Sequence, residues 1–149
     1  MKILLATDGS ANSKAMVKEF AGRTFAPNTK VRIVTAFENS ALLARGPMGV
    51  LTEYYIETKR LTLELSKSLT ASAAKILLNK NPKLNITTAE IEGSPKHVIL
   101  EEAKTFGADL IVVGSHGYGA INRFLLGSVS HAIVLHAKCS VEIVRKKNK

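Results

Sequence analysis

The chain has 149 residues and a formal net charge of +9. This length is typical of one domain, and 46% hydrophobic against 22% charged residues favours a globular fold over disorder. We therefore expect a single domain over residues 1–149. Cys139 is the one cysteine, which excludes an internal disulfide and fits a reducing compartment. The opening apolar run is too short for a secretory signal, and no window has the roughly 20 apolar residues that cross a bilayer, so we expect a cytoplasmic protein with no membrane partner.

The positive charge invites a nucleic-acid interpretation, but the basic residues are scattered outside the tail and the aromatic residues are few. A stacking platform for bases would need aromatic side chains among the basic ones. We predict a solvated basic surface and no specific nucleic-acid partner. The excess charge would still help attract a polyphosphate.

Apolar runs and turn residues predict strands and helices in alternation along the first half of the chain. Leucine or alanine recurs every four residues within the second helix, which predicts core or dimer packing. The predicted elements are a strand over KILLAT (2–7), a helix over 11–24, a strand over VRIVTAF (31–37), a loop over 38–48, a helix over 50–80 and a strand over LNITTAEIE (84–92).

The second half repeats the alternation. Ser94 and Pro95 predict the N-cap and first position of a helix, and Gly107 predicts its end. The remaining elements are a buried strand within ADLIVVG (108–114), a helix from about Ser128 and a strand over CSVEIVR (139–145). Strands that alternate with helices predict an α/β domain with a mainly parallel sheet.

A glycine-rich segment, GSHGYGAINRFLLGSVS, follows the most apolar strand. In open α/β sheets, ligands bind beyond the carboxyl ends of strands. Glycines at Gly114 and Gly117 would let the backbone turn tightly and approach a phosphate, and a helix that starts at Ser128 would offer unpaired amides to an anion. From the residues alone, a phosphate site and a mere turn with an N-cap serine both remain open.

The same segment resembles the nucleotide signature Gly-x2-Gly-x9-Gly-Ser of the universal stress protein family, at Gly114, Gly117, Gly127 and Ser128. The opening ILLATDGS, with Asp8 after the first strand, is similar to a second landmark of that family, and the resemblance covers nearly the whole chain. It implies an open, Rossmann-like parallel five-stranded sheet of order 3-2-1-4-5, of the adenine nucleotide alpha hydrolase-like type, with helices on both faces.

The resemblance also implies a ligand, which is ATP, AMP or ADP, with Mg2+ or Mn2+ held by the phosphates. In ATP-binding members, the positions matching Ala6, Thr7, Asp8 and Ala36 lie at the adenosine end, and the segments matching 114–117 and 127–130 hold ribose and phosphates. The candidate cofactor-binding residues are Ala6, Thr7, Asp8, Ala36, Gly114, Ser115, His116, Gly117, Arg123, Gly127, Ser128, Val129 and Ser130.

Several of these residues also have an ordinary structural interpretation. Asp8 could cap the turn before the first helix, His116 could be a polar turn residue, and Arg123 could reach a terminal phosphate or simply be exposed. His131 and His136 are five apart, the wrong spacing for one helical face, so a structural zinc site is not expected.

The family often forms homodimers through the last strand, here around Val141 and Ile143, although Ser140 replaces a common proline and Glu142 lies mid-strand. We expect a nucleotide-binding stress or signalling protein that regulates a partner the sequence does not identify. No catalytic residue is assigned. The alternatives are a slow ATP hydrolase or nucleotidyl transferase at the same site, and an interaction module without nucleotide.

Overall fold

The computed structural model describes residues 1–38, 51–117 and 126–145, without the side chains of 51–53. Strands and helices alternate along these ranges, as the sequence predicts. The elements are β1 (Lys2–Ala6), α1 (Ala11–Ala21), β2 (Lys30–Phe37), α2 (Leu51–Lys80), β3 (Asn85–Glu92), α3 (Pro95–Phe106), β4 (Leu110–Gly114), α4 (Ser128–His136) and β5 (Ser140–Val144). The predicted loop over 38–48 lies outside the described residues, apart from Glu38.

The five strands form one parallel sheet of order β3-β2-β1-β4-β5, which confirms the fold class. The register pairs Ile3 of β1 with Val31 of β2 on one side and with Leu110 of β4 on the other. The chain thus places β2 and β3 on one side of β1 and then β4 and β5 on the other side. The carboxyl ends of β1 and β4 therefore meet at the point where the strand order reverses.

Helices cover both faces of the sheet because side chains alternate between the faces along each strand. Leu5 of β1 packs with Phe20 of α1 and Leu77 of α2 in one buried cluster. Leu4, its neighbour, packs with Ile99 of α3 in a second buried cluster on the other face. Burial on both faces explains why the central strands lack polar alternation.

The ends of α3 show how local signals set the boundaries. Ser94 is the N-cap residue as predicted, but its side chain makes no capping hydrogen bond, and its carbonyl oxygen accepts from the N–H of Val98 at 3.0 Å. Gly107 ends the helix in the left-handed conformation, with φ of 67°, which a residue without Cβ adopts at little cost.

The leucine ladder of α2, which consists of Leu61, Leu65, Leu69, Ala73 and Leu77, is buried only in its second half. Leu77 is fully buried, whereas Leu61 and Leu65 are 47% and 67% exposed. Of the two predicted alternatives, core packing therefore fails for Leu61 and Leu65, and dimer packing stays a prediction for them. The physical reason is the helical period. Four residues rotate a helix by about 400°, so a ladder of step four drifts about 40° per step and leaves the buried face.

Glu142, the charged residue in β5, is neutralised within the fold. Its carboxylate accepts hydrogen bonds from both terminal nitrogens of Arg23, and one of these contacts measures 2.7 Å. This hydrogen-bonded contact with Arg23 lowers the pKa of Glu142. The ion pair ties the end of α1 to the edge strand and lets a carboxylate occupy the sheet.

The two halves of the ladder give a matched test of the packing. We expect Leu77→Ala to lower the free energy of unfolding by about 2–5 kcal/mol, because it leaves a cavity in the core. Leu65→Ala should change it by less than about 0.5 kcal/mol, because the side chain is mostly in solvent. Urea denaturation followed by circular dichroism measures both, and equal losses would contradict the packing described.

Candidate functional site

A crevice of about 410 Å³ opens at the carboxyl ends of β1 and β4. It lies where the strand order reverses, the position at which open α/β sheets bind ligands. Its walls come from the ends of three strands, the starts of three helices and the segments that follow β1 and β4. The lining residues are Ala6, Thr7, Asp8, Ser13, Val34, Ala36, Pro95, Ile99, Val113, Gly114, His116, Gly117, Gly127, Ser128, Val129 and Ser130.

One carbonyl oxygen joins the two glycine segments of this crevice. Ser115 O accepts a hydrogen bond from Gly127 N at 2.9 Å and another from Ser130 Oγ at 3.1 Å. Ser115 N in turn donates to Val144 O at 3.0 Å, which fixes the segment to β5. The amino end of α4 is therefore held against the carboxyl end of β4.

This arrangement turns backbone amides toward the crevice. Gly127 is the N-cap of α4, and its N–H donates to Ser115 O. Its carbonyl oxygen accepts a hydrogen bond from His131 N at 2.9 Å. The N–H groups of Ser128, Val129 and Ser130 precede the first intrahelical bond, so helix geometry leaves them unpaired within α4. Such amides, together with the helix dipole, attract an anion.

Gly117 and Gly127 let neighbouring atoms come closer to the backbone than a side chain would allow. Neither has a φ in the left-handed region, so the predicted tight turn does not depend on that conformation. A Cβ on Gly117 would lie 2.6 Å from Asp8 Oδ2, and one on Gly127 would lie 3.1 Å from Ser115 O. A Cβ on Gly114, in contrast, would meet its neighbours at 3.5 Å or more, an ordinary contact.

Asp8 lies opposite the Gly114 segment, as the resemblance implies. Its Oδ1 accepts from Ser10 N at 2.9 Å, so the residue does cap the turn before α1. Its Oδ2 faces Gly117 across the crevice. The two interpretations of Asp8 are compatible, because one carboxylate oxygen caps the turn and the other lines the crevice.

Hydroxyl groups line the floor of the crevice beside Asp8. Thr7 Oγ1 and Ser13 Oγ are 3.2 Å apart, and Ser13 Oγ donates to Ser10 O at 3.1 Å. Ser10 is the N-cap of α1 and its Oγ accepts from Ser13 N. Ser13 is not among the residues predicted for the site from the sequence. It lies three residues after Ser10, the N-cap of α1, and that spacing could have indicated it.

The other end of the crevice is apolar, and most of it was missed. Ala6 and Ala36 were selected from the family resemblance, whereas five further lining residues were not: Ser13, Val34, Pro95, Ile99 and Val113. Val34, Ile99 and Val113 belong to runs that look like ordinary core in the sequence, and Pro95 was predicted only as the first position of a helix. Only the sheet order shows that their side chains reach a cavity.

Two of the residues predicted for the site are not among those that line the crevice. Ser115 is 3% exposed and does not line the crevice, since its backbone makes the contacts described above and its Oγ lies 3.1 Å from His116 Nδ1. Arg123 lies outside the described residues. His116 lines the crevice.

No group of three or more metal-ligating side chains occurs within residues 1–38, 51–117 and 126–145. In the same residues, no helix is long and apolar enough to cross a membrane. Cys139 is half-buried beside the second core cluster, and burial raises the pKa of its thiol.

The whole chain is similar to known proteins. A family model described as the universal stress protein family matches residues 1–145. A relative from Staphylococcus epidermidis is 32% identical over 144 residues, which cover 96% of this chain and 82% of the relative. Universal stress protein YxiE of Bacillus subtilis is 29% identical over 151 residues and is matched over 98% of its own length.

Solved structures share the fold. Universal stress protein UspA from Lactobacillus plantarum has a TM-score of 0.78 at 23% identity, with 97% of each chain covered. A universal stress protein in complex with cAMP has a TM-score of 0.61 at 25% identity, covering 97% of this chain and 96% of that one. A universal stress protein family protein from Arabidopsis thaliana with AMP bound has a TM-score of 0.63 at 19% identity, covering 99% of this chain and 92% of that one.

The glycine contacts predict a difference between two positions of one motif. We expect Gly127→Ala to destabilise the fold by about 1–3 kcal/mol, because the added Cβ crowds a backbone oxygen. Gly114→Ala should stay within about 1 kcal/mol of the parent, because its Cβ has room. Chemical denaturation of both variants measures the difference, and a more damaging Gly114→Ala would refute it.

Proposed function

Because the chain belongs to the universal stress protein family, we propose that its crevice binds an adenine nucleotide, with ATP as the main candidate, and that nucleotide occupancy regulates a partner protein. The observation that carries the proposal is the pair of hydrogen bonds on Ser115 O, which bring the amino end of α4 to the carboxyl end of β4. Phosphates would receive hydrogen bonds from the amides at the start of α4.

The apolar end of the crevice suits a base and the polar centre suits a sugar. Val34, Ile99 and Val113 offer an apolar surface against which a planar ring can pack. The Asp8 carboxylate, between this surface and the glycine segment, would accept a hydrogen bond from a ribose hydroxyl. An apolar pocket with a few convergent polar groups is the usual form of a small-molecule site.

Solved family members support the ligand class, since one is in complex with cAMP and another has AMP bound. In the proposed complex, Mg2+ or Mn2+ would be carried by the phosphates. The proposed role is a switch in which binding, rather than turnover, changes what the protein contacts in a stress response in the cytoplasm.

The exposed Ser128 allows a test that leaves the helix intact. We expect Ser128→Glu to weaken ATP binding at least about tenfold, because a carboxylate beside the phosphates repels them. The fold should not suffer, since a negative charge at a helix amino end is stabilising. Isothermal titration with Mg-ATP measures the affinity.

Ser128→Gln is the matched control, with similar size and no charge, and should bind more tightly than Ser128→Glu. Adenosine, which has no phosphate, should bind both variants alike. If the parent protein binds neither ATP, AMP nor adenosine, the proposed function is wrong. If adenosine loses as much affinity as ATP, the phosphates lie elsewhere.

The homodimer is proposed through β5, which is an edge of the sheet. An edge strand presents unpaired backbone groups to a second chain. Beside it, Val134 and Leu135 on α4 are 49% and 62% exposed, which supplies apolar surface for the contact. Glu142 does not oppose this pairing, because Arg23 neutralises its charge.

The backbone directions in β5 give a selective test. Val144 O accepts from Ser115 N on the inner side, and alternate residues point the same way, so the backbone N–H of Val141 points outward. We expect Val141→Pro to remove an outward donor, keep the fold and yield monomer. Glu142→Pro, the contrasting variant, removes an inner hydrogen bond and should be less stable than Val141→Pro. Sedimentation velocity and thermal denaturation measure the two effects, and a monomeric parent would refute the dimer.

A further inference from the structure

Four lysines lie at or just before the amino ends of the strands, on the side of the sheet opposite the crevice. We call them the lysine row: Lys83, Lys30, Lys2 and Lys138. Lys2 and Lys30 are register partners at the amino ends of β1 and β2. Lys83 precedes by two residues the register partner of Lys30, which is Asn85 of β3. Lys138 precedes β5 by two residues. The strand order therefore spreads the row across the whole sheet, and all four lysines are exposed. The Nζ of Lys2 also donates to Phe106 O at 3.0 Å, at the end of α3.

The row follows the order of the strands at their amino ends. Neighbouring strands lie about 4.8 Å apart, so the four intervals from β3 to β5 span roughly 19 Å. Lys80, the last residue of α2, adds positive charge at the same end of the molecule. The charge of Lys104, in the last turn of α3, is matched by Glu101.

The acidic residues at this end are each engaged by a neighbour. Asp109 accepts from the backbone N–H of Lys2 at 2.7 Å. Glu102 pairs with Arg32 at 2.7 Å, and Glu101 lies 3.9 Å from the Nζ of Lys104. These contacts use Arg32, Lys104 and a backbone N–H, so none of the three carboxylates takes the Nζ of a lysine in the row.

A groove of about 300 Å³ runs beside the row between α3 and α4. Lys104 and Lys138 line it together with Gly107 and one acidic residue, Glu101, which pairs with Lys104. Lys2 Nζ is 3.5 Å from where a Cβ on Gly107 would lie, so the groove reaches the row. The positive edge thus has a concave side that could seat part of a polyanion.

We propose that the lysine row binds the phosphate backbone of double-stranded nucleic acid without sequence preference. A duplex carries about one negative charge per 1.7 Å of axis with both strands counted, so a length equal to that of the row carries roughly 11, of which the row faces a part. The linear arrangement favours a duplex over a membrane, because a lipid surface is charged in two dimensions and a single line of lysines engages little of it. Lysine contacts a phosphate as a point charge, and contacts to phosphates carry no sequence information.

The test measures anisotropy of a labelled mixed-sequence duplex of about 20 base pairs between about 50 and 200 mM salt. The row variant combines Lys30→Gln, Lys83→Gln and Lys138→Gln, and the matched control combines Lys14→Gln, Lys67→Gln and Lys96→Gln. Both lose the same charge. We expect the row variant to bind at least about tenfold more weakly at low salt, with a salt slope shallower by about 2 to 3, and the control to bind like the parent.

Three outcomes would overturn the proposal. Equal weakening in both variants would mean diffuse attraction to the net charge. Absence of duplex binding by the parent at about 50 mM salt would mean a merely solvated edge. Row-dependent binding to vesicles of about 30% phosphatidylserine in phosphatidylcholine, with none to the duplex, would mean that the partner is an anionic membrane. Circular dichroism of both variants confirms that folding is unchanged.

Discussion

The Ser115 carbonyl is the contact on which the crevice depends. It accepts from Gly127 N and Ser130 Oγ, while the amide of the same residue donates to Val144 O. One peptide segment thus links the end of β4, the start of α4 and the edge strand β5. Each bond is worth only about 1 kcal/mol net, but burial makes a missing partner more costly than that. The amides at the start of α4 point into the crevice because this link fixes where the helix begins.

Local signals in the sequence predicted the elements well. Gly107 ended a helix as expected, and the apolar strands were found within about two residues, because turn chemistry and periodicity act over short distances. The strand order had a different source. Nothing in the residues shows that β4 pairs with β1 rather than with β3, and the family resemblance supplied that order. Leu65 shows the limit of pattern reasoning, since a step of four is close to the helical period without matching it.

The candidate site was predicted unevenly for a related reason. Polar and glycine positions such as Asp8 and Gly127 stand out because they break an apolar pattern. Val34, Ile99 and Val113 do not, because an apolar side chain at a cavity is indistinguishable in sequence from one in the core. Ser115 was selected as a ligand residue, yet its backbone carries the contacts and its side chain is buried. Motif spacing locates a loop, but hydrogen bonding within that loop decides which atoms remain for a ligand.

The polarity of a parallel α/β domain gives its two ends different electrostatics. All five strands end on the side of the sheet that holds the crevice, so the helices that follow them begin on that side. Three of these helices, α1, α3 and α4, contribute residues near their amino ends, which carry partial positive charge, to the crevice. The crevice can therefore attract phosphate through amides while Asp8 lines it with a carboxylate. The helices end at the opposite edge, where their carbonyl ends carry partial negative charge. Lysines there, such as Lys80 and Lys104, first compensate the helix ends, and only the charge beyond that compensation is available to an external polyanion. Lys30 and Lys83, which begin or precede strands, face no such demand from a helix of their own, and they supply that remaining charge.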